Sequence, residues 1–111
     1  MQKEIQETIA EITRHLNTAT VLQNYKLPAE HVTCADGTVL SIQASEYHYC
    51  TPRYNEGPWT QVEVMVISSG VTPLNWKYDD NQTPETQLAS WVPIEAVAKE
   101  IIQRGYLMLT K

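Results

Sequence analysis

A chain of 111 residues is one domain by length, and a domain of that size buries only about 60–70% of the surface its unfolded chain exposes, so a modest core is expected. Thirteen acidic against 8 basic residues give a formal net charge of -5, which disfavours nucleic-acid polymers and anionic membranes unless cations cluster, and along this sequence they do not. Two cysteines are too few for a disulfide framework, no run of about 20 apolar residues offers a membrane span, and Met1 to Glu7 lacks the basic-then-apolar order of a secretory signal, so a soluble intracellular protein is expected.

The chain opens on an amphipathic pattern. Ile5, Ile9, Ile12, Leu16 and Ala19 recur at spacings of four, three, four and three, with Glu4, Glu7, Glu11 and Arg14 facing away, which predicts a helix over 3–20 lying on the domain's own sheet. Thr18, Thr20 and Asn24 then weaken the helix and Pro28 forbids its continuation. Next, residues 31–35 and 38–49 flank Asp36-Gly37, a dipeptide that favours a two-residue hairpin turn and would set Cys34 opposite Val39 and His31 opposite Ile42. Leu40, Ile42 and Ala44 alternate with polar neighbours, as do Val62, Val64 and Val66, which predicts a further strand over 59–67. Cys34 and Cys50 have opposite parity on this ladder and are expected to point to different faces, without a bridge.

Between those strands Tyr47, His48, Tyr49, Cys50, Arg53, Tyr54, Asn55 and Trp59 crowd together, punctuated by Pro52, Gly57 and Pro58, so the connection is not strand throughout. From Ser68 to Ser90 periodicity fails, although Trp76, Tyr78, Asp79, Asp80 and Asn81 form a second polar-aromatic cluster. Thr83 before Pro84 and Glu85 resembles a helix start, giving a short turn to about Ala89. A final helix is expected over 93–104, with Ile94, Val97, Ala98, Ile101 and Ile102 on one face and Gly105 as its stop, and Tyr106 to Thr110 can return as a strand. The fold class is therefore α+β: an antiparallel sheet with an N-terminal and a C-terminal helix packed on it.

Side-chain chemistry narrows the function classes. His48 and Cys50 share a strand parity but lack a second ligand pair for a metal, and as base and nucleophile they lack an orienting acid and an oxyanion hole. With no glycine-rich phosphate loop either, neither an enzyme nor a cofactor protein is expected. Arg53 offers a planar fork for an anion, and Tyr47, Tyr49, Trp59, Trp76 and Trp91, each a core candidate singly, together with Arg53 and Asn55 suit a binding surface for a flat polar molecule. With Phe absent, the rings are six Tyr and three Trp, residues that favour positions wet at one end or facing a partner, so a homo-oligomer is expected.

SIQAS (41–45), HYCTPRYNEGPW (48–59), VEV (62–64) and WVPIEAVAKEI (91–101) together resemble the pattern of the phage Thoeris anti-defence family, small proteins that sequester nucleotide immune signals. The likeness spans Asp36 to Val66 and Trp91 to Ile102, about 40% of the chain. It departs where the family has Gly-aromatic-Pro and this chain has Met65, Val66 and Ile67, and the middle loop shares only an acidic tract around Asp79 and Asp80, which leaves the ligand's identity open.

The resemblance implies capture, without degradation, of a cyclic ADP-ribose-type second messenger, and for some members a cyclic oligonucleotide, in the cytoplasm of an infected bacterium, by a dimer or larger assembly. An adenine asks for an aromatic face (Trp59, Trp76 or Tyr78), its amino edge for an amide (Asn55 or Asn81), and a pyrophosphate for guanidinium groups (Arg53 with Arg104). A second reading is an acidic phage inhibitor of a host defence protein, in which Glu7, Glu11, Asp79, Asp80 and Glu85 carry the contact.

Overall fold

The computed structural model describes residues 2–22, 25–68 and 88–108. Helix α1 (Gln2–Asn17) leads into a two-stranded hairpin, β1 (Val21–Leu22) and β2 (Tyr25–Lys26). Strands β3 (Val32–Thr33), β4 (Val39–Gln43), β5 (Gln61–Ser68) and β6 (Leu88–Pro93) form an antiparallel sheet in chain order, and helix α2 (Ile94–Gln103) follows β6 without a loop. This is the α+β arrangement expected from the alternation of the two strands and the two apolar helix stripes.

The period-two pattern sorts the sheet into faces. Leu40, Ile42, Val62, Val64, Val66, Ala89 and Val92 are buried in one cluster with Ile5, Ile12 and Leu16 of α1 and Ile94, Val97, Ala98 and Ile101 of α2. On the alternate parity Ser41, Gln61, Glu63 and Met65 stay half-buried. Among the described residues no helix is long and apolar enough to cross a membrane.

Several boundaries differ from those expected. Helix α1 stops at Asn17 because the Thr18 hydroxyl and N–H both donate to the His15 carbonyl, at 2.6 and 3.2 Å, which closes the last turn; Ala19 still packs against the core beyond it. The β1–β2 hairpin stands where only a weakened helix end was expected. At Asp36-Gly37 the hairpin exists, but its register pairs Thr33 with Val39 and Val32 with Leu40. Gly37 N–H donates to the Cys34 carbonyl and Cys34 N–H to the Thr38 carbonyl, so three residues turn the chain, and Gly37 takes φ 94°. A type I turn followed by a left-handed glycine uses one residue more than the two-residue turn and moves every partner by one.

Strand β4 ends at Gln43, six residues short of the expected 49. Strand β6 occupies 88–93, where the sequence suggested a helical turn ending near Ala89; the expected helix start at 83–85 lies outside the described residues. The end of α2 is as expected: Gly105 at φ 90° and Tyr106 donate back to the Ile102 and Ile101 carbonyls, the paired closure of a left-handed helix stop. The chain then returns beside β3, with Leu107 bridged to Cys34 and Met108 N–H donating to the Thr33 carbonyl. Cys34 and Cys50 are buried free thiols on either side of β4 in the chain.

Candidate functional site

Residues 44–60 leave β4 and come back to β5 through a loop stitched by its own polar groups. The Ser45 hydroxyl accepts Tyr47 N–H at 3.1 Å and pairs with His48 Nδ1 at 2.7 Å. Asn55 Oδ1 accepts Glu46 N–H, Trp59 Nε1 donates to the Tyr54 carbonyl, and Thr51 pairs with Gln61 at the mouth of β5. The peptide bonds before Pro52 and Pro58 are cis. Gly57 N–H ties the far end to Asn17 Oδ1 of α1.

From this scaffold an aromatic and cationic ridge reaches the surface. In β6, Ser90 and Trp91 together oppose Glu63, because Val62 pairs with Val92 and Val64 with Ala89. The bulge holds Trp91 at φ 53°, a left-handed conformation that costs a bulky residue energy, and bulges re-aim side chains in this way. Trp91 N–H donates to the Tyr49 carbonyl at 3.1 Å, and the two rings stack at 4.8 Å between centroids with 30° between planes. The Arg53 guanidinium carbon lies 5.5 Å from the Tyr49 ring centre while Nη2 donates to the Glu46 carbonyl at 3.2 Å. Trp91 is 46% and Tyr49 45% exposed, and Tyr47 and Tyr54 on the same loop are exposed as well. A strained bulge and a stitched loop thus leave these large rings half in water.

The sequence-derived candidates separate on this geometry. Arg53 belongs to the ridge. Asn55 sits beneath it with its amide oxygen occupied by Glu46 N–H, so it supports the loop. Trp59 is only 2% exposed, closed over by Gly57 and lying 4.6 Å from the Lys26 ammonium, and has no open ring face to offer an adenine. Arg104 is corrected outright: it is 5% exposed beside the Asp36 turn, which precedes β4 whereas the ridge loop follows it. There its guanidinium bonds Asp36, Glu100 and Thr38 at 2.9–3.2 Å, so burial and two carboxylates commit it to the fold. Trp76, Tyr78 and Asn81 lie outside the described residues. Tyr49 and Trp91, core candidates singly but part of a binding surface when taken with Arg53, stand half-exposed and stacked on each other beside the Arg53 guanidinium.

Buried groups under the loop are held neutral or paired. Burial lowers the His48 pKa, and the nearby charges of Lys26 and Arg53 lower it further. Burial raises the Cys50 thiol, whose Sγ contacts the Ser45 and Pro52 carbonyls. Ser45 and His48 have the spacing of a nucleophile and its base, but Ser45 is buried and its oxygen already accepts Tyr47 N–H, which leaves no approach for a substrate carbon. Among the described residues no group of three or more His, Cys, Asp or Glu is placed to hold a metal ion.

A cavity of about 720 Å³ opens elsewhere, between the C-terminal half of α1, residues 27–33 and the Leu107–Met108 return. Glu11 and Glu30 offset Arg14 there, and among the described residues no Tyr or Trp lines it, in contrast to the ridge. No family model matches the chain, and neither the curated proteins nor the solved structures contain a match to it.

Proposed function

We propose that the protein captures a nucleotide-type small molecule on the Trp91–Tyr49–Arg53 ridge and releases it unchanged. Taken with the resemblance to the Thoeris anti-defence proteins, it would be a phage-encoded sponge for a cyclic ADP-ribose-type signal, working in the cytoplasm of an infected bacterium. The exposed ring pair with a guanidinium beside it is the observation that carries this reading. A base stacked on an aromatic ring gains about 1–3 kcal/mol, and a phosphate on a guanidinium about 1.5–3 kcal/mol. Arg53 commits one N–H to Glu46 among the described residues, which leaves a fork free to meet a phosphate. The net charge of -5 is spread over the chain, and exposed carboxylates farther from Arg53 than a Debye length of about 8–10 Å are largely screened.

A ridge covers one face of a nucleotide, and tight retention needs more of it enclosed. We therefore include a homo-oligomer in the proposal, a second copy closing over the ligand. The test is calorimetric titration of cyclic ADP-ribose into wild type and Arg53→Ala, followed by heat release and chromatography of the ligand. Uptake with intact release, and a roughly 10- to 150-fold weaker Kd for Arg53→Ala at unchanged Tm, is expected. A chemically altered ligand would mean an enzyme. No uptake overturns the proposal and favours the acidic inhibitor of a host protein.

A further inference from the structure

The loop bearing Tyr49 and Arg53 is gripped from beneath by a buried ammonium. Lys26, in β2 and only 4% exposed, donates from Nζ to the Ala44 carbonyl at 3.3 Å and to the Asn55 carbonyl at 2.9 Å. Its third side is covered by the Trp59 ring, 4.6 Å to the centroid. From Asn55 the contacts continue without a gap to the ridge: Asn55 Oδ1 accepts Glu46 N–H at 3.1 Å, and the Glu46 carbonyl accepts Arg53 Nη2 at 3.2 Å. One cation thus ties the exit of β4 to the far arm of the loop, and the next two bonds lead to the guanidinium.

We propose that Lys26 is a positioning residue for the ligand site, an internal clamp that sets where Arg53 and Tyr49 stand. The inference rests on the nucleotide-capture reading and deepens it. A long flexible cation is suited to the task because its donors reach two carbonyls from different parts of the loop. Desolvation lowers the pKa of this ammonium, with Cys50 and Glu56 acting the other way, so the charge is held at a cost that its carbonyls and the ring offset. Without Nζ the Ala44 and Asn55 carbonyls lose their donor, and the loop can rearrange until they find another. Lys26 lies in the small β1–β2 hairpin outside the four-stranded sheet, so the sheet's ladder does not depend on it.

A merely stabilising lysine and a positioning one are told apart by where the damage falls. Lys26→Met is compared with the α1 core variant Ile12→Val at temperatures chosen to give equal fractions folded, reading amide hydrogen exchange over 44–55 and the Kd for cyclic ADP-ribose. Expected for Lys26→Met are faster exchange at Glu46 and Tyr47 and affinity weaker by at least about fivefold, the lower end of typical coupling between sites, with Lys26→Arg recovering part of both. A ligand that favours the clamped loop lowers the population in which the buried amine can be reached, so in the wild-type protein cyclic ADP-ribose is expected to slow acetylation of Lys26, and this decides the matter if Lys26→Met does not fold. Equal exchange and equal affinity in Lys26→Met and Ile12→Val, or acetylation indifferent to bound ligand, overturns the inference. If wild type takes up no cyclic ADP-ribose, the ligand reading fails, and exchange over 44–55 alone decides whether Lys26 sets the loop.

Discussion

Trp91 pays twice for its place, in backbone strain and in exposed ring surface, and the two terms can be separated by a pair of substitutions. A left-handed residue with a Cβ costs about 1–2 kcal/mol, whereas glycine is free of that penalty and loses only about 0.5–1 kcal/mol against alanine in conformational entropy. At an ordinary strand position alanine is therefore the more stable of the two; at φ 53° that preference is offset or inverted, with glycine ahead by up to about 1.5 kcal/mol. Both substitutions remove the half of the indole that is buried against Tyr49, on the order of 100 Å² of apolar contact and about 2.5 kcal/mol. Trp91→Ala is expected to lower Tm by about 10 °C and Trp91→Gly by a few degrees less, at about 4 °C per kcal/mol for a domain of this size. Both should lose cyclic ADP-ribose equally, because the stacking ring is absent from each. Urea and thermal melts with parallel titrations make the measurement. Alanine ahead of glycine by about 0.5–1 kcal/mol, the order of an ordinary strand position, would refute the strained bulge, and wild-type affinity in either variant would remove Trp91 from the site.

Arg104→Met should lower Tm by roughly 10 °C without touching ligand affinity, since it leaves Asp36, Glu100 and Thr38 facing a buried apolar chain; weakened binding at unchanged stability would restore Arg104 as a ligand contact. Asp36 is held below its ordinary 3.8 first by Thr38 N–H and then by Arg104, so its contribution is present above that value and lost as pH falls through the lowered one. Acid melts of Arg104→Met should accordingly show a shallower pH dependence than wild type, and identical slopes would refute the coupling. Burial pushes the Cys34 thiol from 9.0 up to about 11, so its share of stability is intact below pH 9 and declines between pH 9 and 11; at pH 8 the native protein should resist iodoacetamide that labels both cysteines after unfolding, and rapid native labelling of Cys34 would contradict its burial. Gly57→Ala drives a methyl into the Trp59 ring, which is pinned by the Tyr54 carbonyl and Lys26, and should cost about 1–3 kcal/mol with a red shift in tryptophan emission; an unchanged melt would refute the tight seat.

Local periodicity in the sequence was enough to specify the helices and the central strands. Ile5, Ile12 and Leu16, the Val62-Val64-Val66 alternation and the Gly105 stop each define their element through spacing or backbone freedom that a neighbour ten residues away does not alter. The Asp36-Gly37 turn was legible as a turn but not in its register, because two- and three-residue hairpins share that dipeptide and only the paired strands select between them. The site, by contrast, was set by tertiary contacts. Trp59 and Trp91 are the same residue type with the same polar handle, yet one is sealed beneath Lys26 and the other turned outward by a bulge in a strand that carries no clear alternation. Arg53 and Arg104 likewise differ only in partners: Arg104 meets Asp36 from 68 residues away, while among the described residues Arg53 meets the Glu46 carbonyl and an exposed ring. Whether a guanidinium or an indole is free to bind depends on contacts made across the fold, and those long-range contacts leave no periodic trace in the chain.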